Sequence, residues 1–437
     1  MNHTAITTIR VIALAAALAV CAGTADAAVN GVSGPAFNLT ARADHIATAD
    51  GNSLLFWGYA NGSGRAQYPG PTLIVNQDDA VTVRLTNALN EPVSIVFPGQ
   101  ANVQATAGDP AQAQEGLLTL EALPGGTVTY SFTASRPGTF AYSSGTDPAL
   151  QVEMGLTGVL IVRPGMGANY AYNNASTRWN REYLFVLSAM DPQIHQDMEF
   201  RGKAAVEASG RLGAGYVPNY FFINGRTAMD TLLPDNLATL PTQPYGSLVQ
   251  MMPGEKLLMR VVGAGRSEHP FHHHGNHARV IGRQGRYLQA GNVDTTFNGF
   301  TINPLPGETY DAIFEWTGKD LGWDIYGPAD SHPCCTDANS DGFDDTTWEY
   351  IADHGKLFPV TLPETPFTVV GPFYSGTPFM GSLGGLPPGE GGLNPLGGFP
   401  FMWHSHNERE LTNYNIFPGG MLTMLIVQPP GSIATEY

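Results

Sequence analysis

Between residues 36 and 165 short apolar runs alternate with turn residues. Thr72–Asn76, Ala80–Thr86, Thr127–Phe132 and Gly158–Val162 alternate polar with apolar or run continuously apolar, with Gly, Pro, Asn and Asp between them. That pattern predicts strands of an all-β Greek-key sandwich. A second series opens at Glu182–Leu187, continues through Lys256–Val262 and closes with Met421–Gln428. Two tandem sandwiches are therefore expected, at 28–165 and 182–437, joined by a linker at 166–181. The strand pattern lapses between 328 and 399, and Gly381–Gly398 holds eleven Gly or Pro in eighteen residues. Such a stretch is a functional loop, a lid or a surface insertion. A surface insertion without a catalytic part is the preferred reading.

The N-terminus departs from this pattern. Arg10 precedes the apolar run Val11–Val20, and Ala25-Asp26-Ala27 follows as a small-x-small cleavage site. Residues 1–27 thus read as a signal peptide, and the short, alanine-rich form points to a bacterial exported protein, periplasmic, extracellular or at the cell surface. The apolar run is too short for a bilayer core of roughly 30 Å, and no later stretch is long enough, so no membrane span is expected. Leu18–Cys21 faintly resembles a lipoprotein box, but the bulky Val20 before the cysteine speaks against lipidation.

Composition narrows the picture. Lys and Arg total 21 against 38 Asp and Glu, a net charge of −17, which argues against nucleic acid or an anionic membrane as partner. The 52 Gly and 33 Pro exclude a helical bundle, and 43% apolar residues exclude wholesale disorder. Cysteine outside the signal segment is confined to the adjacent pair Cys334-Cys335. A vicinal disulfide, an intermolecular bridge and a metal-binding dithiol are all open readings.

Candidate chemistry concentrates in histidine. Five of the twelve histidines lie within nine residues: His269, His272, His273, His274 and His277. Two more form His404-Ser405-His406. Residues two apart on a strand share a face, so His272 projects with His274 and His404 with His406, while His273 points away. Two such pairs on neighbouring strands can surround one metal ion, and imidazole suits copper, zinc, iron or nickel.

These motifs resemble the multicopper oxidase family. His269–Gly275 is similar to its His-Pro-x-His-x-His-Gly motif, and Trp403–His406 followed by Gly419-Gly420-Met421 is similar to its last motif. Tyr68–Leu73, Val83–Asn90, Arg136–Tyr142, Gly155–Val162, Phe222–Gly225 and Pro253–Leu257 fit the same family. The resemblance implies cupredoxin-like domains and copper. Carried over by motif, it would make His269 a type 1 ligand, His272 a type 2 ligand, and His274, His404 and His406 type 3 ligands.

The departures limit that chemistry. Val96 and Pro98 stand where the first His-x-His belongs, and Ser143-Ser144-Gly145 where the second does. Ser405 replaces the type 1 cysteine, and Glu410 stands for the following histidine. A blue centre needs His, His and Cys around copper. The expected remnant is one copper, with zinc as second choice, held by His272, His274, His404 and His406. His269 is a doubtful fifth ligand.

A second metal motif lies within the insertion. Asp337, Asn339, Asp341 and Asp345 occupy positions 1, 3, 5 and 9 of a calcium loop, with Gly342 at position 6. Position 12 is Trp348, and Glu349 misses it by one, so the loop resembles the thrombospondin or dockerin kind more than an EF-hand. Met190, His195 and Met198 are irregularly spaced and read as scattered loop residues. The Asn-x-Ser/Thr triplets at Asn38, Asn61 and Asn174 are discounted for a bacterial chain.

Two functions follow. The first is a secreted copper-binding oxidoreductase without a type 1 centre. The alternative is a non-enzymatic metal-binding or structural surface protein on a redox-dead scaffold. Missing first-domain histidines favour the alternative; retention of the second-domain set favours the first.

Overall fold

The computed structural model describes residues 29–325, 334–357, 364–369, 371–378 and 395–434. The signal-peptide expectation and most of Gly381–Gly398 lie outside the described residues. The architecture is all-β. Residues 32–163 build a six-stranded sheet around Ala36–Ala47 and Ala80–Asn87, and a four-stranded sheet around Leu73–Asn76 and Thr157–Arg163. The strand Ala80–Asn87 shows why they stack: Val81, Val83 and Leu85 are buried while Ala80, Thr82 and Arg84 are exposed. Period-two alternation turns one apolar row inward. That row meets Leu73, Val75, Phe140, Tyr142, Leu160 and Val162 of the smaller sheet in one core.

Ala36–Ala47 pairs antiparallel with Ser53–Asn61 yet parallel with Ala80–Asn87, a crossing connection of the Greek-key kind. Residues 181–427 repeat the plan with a seven-stranded and a five-stranded sheet. The larger contains Arg181–Met190, Lys256–Gly263 and Thr309–Glu315; the smaller contains Phe271–His273, Phe399–Ser405 and Leu422–Val427.

The two halves are packed together. Phe56 and Tyr68 share a buried cluster with Met190, Tyr220 and Phe222. A polar network reinforces the contact: Thr139 Oγ1 donates to Asp311 Oδ1 at 2.6 Å, and Arg260 Nη1 donates to Thr139 Oγ1 at 2.8 Å.

Met190, His195 and Met198 do not sit on a loop, as the irregular spacing suggested. Pro192–Arg201 is an α-helix, with Pro at its first turn and the Asp191 carboxylate accepting from the Gln193 N–H. His195 is buried there and its Nδ1 bonds Leu55 O at 2.6 Å, so it serves packing.

Candidate metal centre

Local strand geometry assembles the histidines. Phe271–His273 pairs antiparallel with Phe399–Ser405, placing His272 opposite His404 and His273 opposite Trp403. Phe271 and His273 turn inward: the Phe271 ring lies 5.0 Å from Phe185, and the His273 ring 5.9 Å from both Phe314 and Trp403. His272 and His404 therefore share the opposite face. His274 follows the strand, and Gly275 at φ +106° makes the turn that leaves its ring 4.6 Å from His272 and 5.1 Å from His404.

His272, His274 and His404 each offer a ring nitrogen within 4.8 Å of the others. His274 Nε2 lies 3.2 Å from His404 Nε2. Two nitrogens held about 2.0 Å from one tetrahedral ion are about 3.3 Å apart, so the spacing fits a shared cation. Two of the outer nitrogens are tied down. His272 Nδ1–H donates to Phe300 O at 2.7 Å and His404 Nδ1–H to Ser405 O at 2.7 Å, which leaves both Nε2 lone pairs facing inward. Burial lowers His272 and His274 to about 4 and lowers His404 as well, so all three are neutral, ligand-ready imidazoles at physiological pH.

His406 stands one residue past its strand, where its N–H donates to Pro270 O at 2.7 Å. It is exposed, its ring 4.9 Å from His272 and 6.0 Å from His404. Its ring flanks the trio on the His272 side.

His269 lies elsewhere. Its Nδ1 is 3.1 Å from Glu410 Oε2, and Ser405 Oγ donates to the same oxygen at 2.6 Å. All three side chains are buried. The residues at the type 1 positions thus bond to one another. Val96 and Ser143 form a β-bridge, with Val96 N–H donating to Ser143 O at 2.8 Å. A Cβ added to Gly145 would meet Val96 Cγ1 at 2.7 Å, so that corner is filled by small and apolar groups.

Sequence reasoning missed two neighbours of the centre, Tyr374 and Phe300. Tyr374, from within the 328–399 insertion, has its ring 5.7 Å from His274 and 6.1 Å from His272, and stacks on His277 at 6.4 Å. Phe300 lies 5.7 Å from His272 and 5.5 Å from His277. The insertion is thus more than a surface element: part of it walls the histidines. A general aromatic enrichment carried no signal, since the contact depends on the insertion folding back. The calcium-loop residues form a closed turn: Asp337 accepts from the Asp341 and Gly342 N–H groups, and Asp345 from the Ala338 N–H. Cys334 and Cys335 are joined as a disulfide.

A cleft of about 440 Å³ lined by Arg136, Arg283 and Arg286 contains none of these histidines. Among the described residues no helix is long and apolar enough to cross a membrane.

Residues 50–166 match the family profile of multicopper oxidases. The L-ascorbate oxidase of Cucurbita maxima is 27% identical over 283 residues, covering 61% of this chain and 45% of that protein. Copper resistance protein A of Escherichia coli is 26% identical over 280 residues, covering 57% and 42%. The chain spans less than half the length of these curated relatives. Among solved structures, the blue copper oxidase from Nitrosomonas europaea superposes with a TM-score of 0.55 at 19% identity, over 89% of this chain and 85% of that one, a likeness of fold. The chain thus carries a domain similar to that of the multicopper oxidases at 50–166, and its two described β-sandwiches share the cupredoxin-like fold of these structures.

Proposed function

We propose that this chain is an exported, copper-dependent oxidoreductase of multicopper-oxidase type that has one histidine-held copper and no type 1 centre. The reading divides it into a signal peptide at 1–27, cupredoxin-like domains at 28–165 and 182–437, and a linker at 166–181. The observation that carries it is the convergence of His272, His274 and His404 within 4.8 Å. His406, already 4.9 Å from His272, is the fourth ligand in this reading, and zinc is the second-choice ion. His269 stays with Glu410 and does not ligate.

Bound copper supplies one-electron chemistry. The chain's own part is to hold three neutral imidazoles, with the outer nitrogens of His272 and His404 fixed, and to wall one side with Tyr374 and Phe300. Asp337, Asn339, Asp341 and Asp345 are assigned a calcium ion that orders the insertion.

A non-enzymatic reading has one specific support. Ser405, Glu410 and His269 satisfy one another at 2.6 and 3.1 Å, so no thiolate relay feeds the histidines. Metal analysis with electron paramagnetic resonance, joined to turnover on phenols, cuprous and ferrous ions, separates the two. One copper with turnover supports the oxidoreductase, and one copper without turnover supports the alternative. Absence of metal from the wild-type centre, or three coppers per chain, defeats both.

A further inference from the structure

We infer that Asp324, Glu349 and His354 form a separate divalent-cation site of the zinc class, which fastens the insertion to the second sandwich. Each offers a ligand atom within 4.8 Å of the other two. Asp324 and Glu349 are buried, at 4% and 3% exposure. His354 Nδ1 contacts Glu349 Oε1 and lies 3.7 Å from Asp324 Oδ2.

The three are held from outside. The Gly355 N–H donates to Asp324 Oδ2 at 2.9 Å, which ties the residue after His354 to the first carboxylate. The Asp344 N–H donates to Glu349 O at 2.9 Å, which anchors the backbone of the second. A third buried carboxylate, Asp353, has its own partners: it accepts from the Gly322 N–H at 3.0 Å and from Lys356 Nζ at 2.8 Å. It braces the turn beside Asp324 and Glu349.

The charge arrangement favours a cation. Two buried carboxylates and an imidazole converge here, and a divalent ion is attracted by both carboxylates at once. A cavity of about 10 Å³ opens beside Asp324 and Glu349, lined also by Trp323, Tyr350 and Asp353 but not by His354. The donor set decides which ion. Two carboxylates and one imidazole suit zinc, which accepts three protein ligands and a water, whereas calcium takes six to eight oxygens. Cys334 and Cys335 also lie near His354, but their sulfurs are bonded to each other. Asp324 stands directly after the core residue Trp323, and His354 stands thirty positions later in the insertion. An ion binding all three therefore closes that loop against the sandwich, and stabilises the folded form that alone presents the set.

The test uses the full secreted protein, reconstituted with zinc and copper and dialysed before elemental analysis. The wild type is expected to keep one zinc beyond the metal at the histidine centre. Glu349→Gln and Asp324→Asn should each weaken that zinc at least ~10-fold while copper at His272, His274 and His404 is retained. Retained copper also reports that the variant has folded. If a variant fails to fold, cobalt replaces zinc in the wild type, and a tetrahedral cobalt spectrum that survives His272→Ala supports the site. A wild type holding no such zinc or cobalt, or a Glu349→Gln protein that keeps its zinc unchanged, overturns the inference. Loss of copper in His272→Ala with this zinc intact would bear on the histidine centre alone.

Discussion

Ser405 Oγ donates to Glu410 Oε2 at 2.6 Å, and the same oxygen lies 3.1 Å from His269 Nδ1. One carboxylate thereby satisfies two buried groups, where the family's motif would put a cysteine, a histidine and copper. Glu410→Ala leaves both groups without that acceptor and is expected to cost about 2–4 kcal/mol of stability, read as a shift in the urea midpoint. Ser405→Ala removes one donor and should cost about 1 kcal/mol. Copper-loaded wild type should lack an intense blue thiolate band. Appearance of that band, or a Glu410→Ala protein as stable as wild type, contradicts this account.

His273 separates the metal from the fold. It points into the core between Phe314 and Trp403, and the Ala278 N–H donates to its Nε2 at 3.1 Å. His273→Ala is expected to leave copper stoichiometry unchanged but to lower stability by about 2–4 kcal/mol, as for other buried rings. His272→Ala should do the reverse, abolishing tight copper binding with a smaller loss of stability. Equal copper loss in the two variants would show the face assignment to be wrong.

That face assignment was legible in the sequence, because a two-residue period needs only a strand to become geometry. His272 and His404 sit opposite each other for this reason, and the buried row Val81, Val83 and Leu85 follows from the same rule. His406 lies just beyond the ladder: its strand ends at Ser405, and periodicity stops informing where the ladder stops. The helix Pro192–Arg201 was hidden because its buried face is mixed, with His195 and Asp197 beside Ile194. Tyr374 and the Asp324, Glu349 and His354 set depend on how residues 334–357 and 371–378 pack against the second sandwich, which no local pattern encodes.

Glu182 gives a pH signature. Burial alone would raise its carboxyl, but Arg260 and Arg163 outweigh burial and hold it at about 2. Arg163 Nη2 donates to Oε2 at 2.6 Å, and Arg260 Nε to Oε1 at 2.5 Å. The folded value lies below the unfolded one, so the stabilisation is complete above pH 4.5 and is lost as pH falls toward 2. It amounts to about 3 kcal/mol. The stability gap between wild type and Glu182→Gln, followed by urea unfolding, should narrow across that window. A gap that is constant from neutral pH to pH 2 rules the network out as its source.

The loop Asp337–Asp345 supplies a separate expectation. The Asp337 carboxylate already accepts from the Asp341 and Gly342 N–H groups, at 3.1 Å each, and Gly342 holds φ +88°, so the turn is closed by carboxylate-to-backbone bonds. Calcium should then add charge neutralisation and not create the turn. Titration calorimetry is expected to find one calcium site, lost in Asp341→Ala, and calcium should slow proteolysis of the insertion. No binding heat together with chelator-insensitive proteolysis would refute the assignment.

Tyr374 tests whether the insertion guards the histidines. Its ring lies within 6.4 Å of His272, His274 and His277, and burial raises its hydroxyl above the ordinary value, as expected for a ring partly withdrawn from water. It comes from the insertion, whereas the histidines come from the sheet, so the contact is made by folding the segment back. The hold is local: Gly376 bridges to Phe401, and a Cβ at Gly376 would strike the Phe401 ring at 2.3 Å. Tyr374→Ala should leave copper stoichiometry intact, since no imidazole is lost, but should speed copper removal by a chelator on the order of 10-fold. Tyr374→Phe keeps the ring and should behave as wild type. If the Ala variant releases copper no faster, the insertion does not shield the centre.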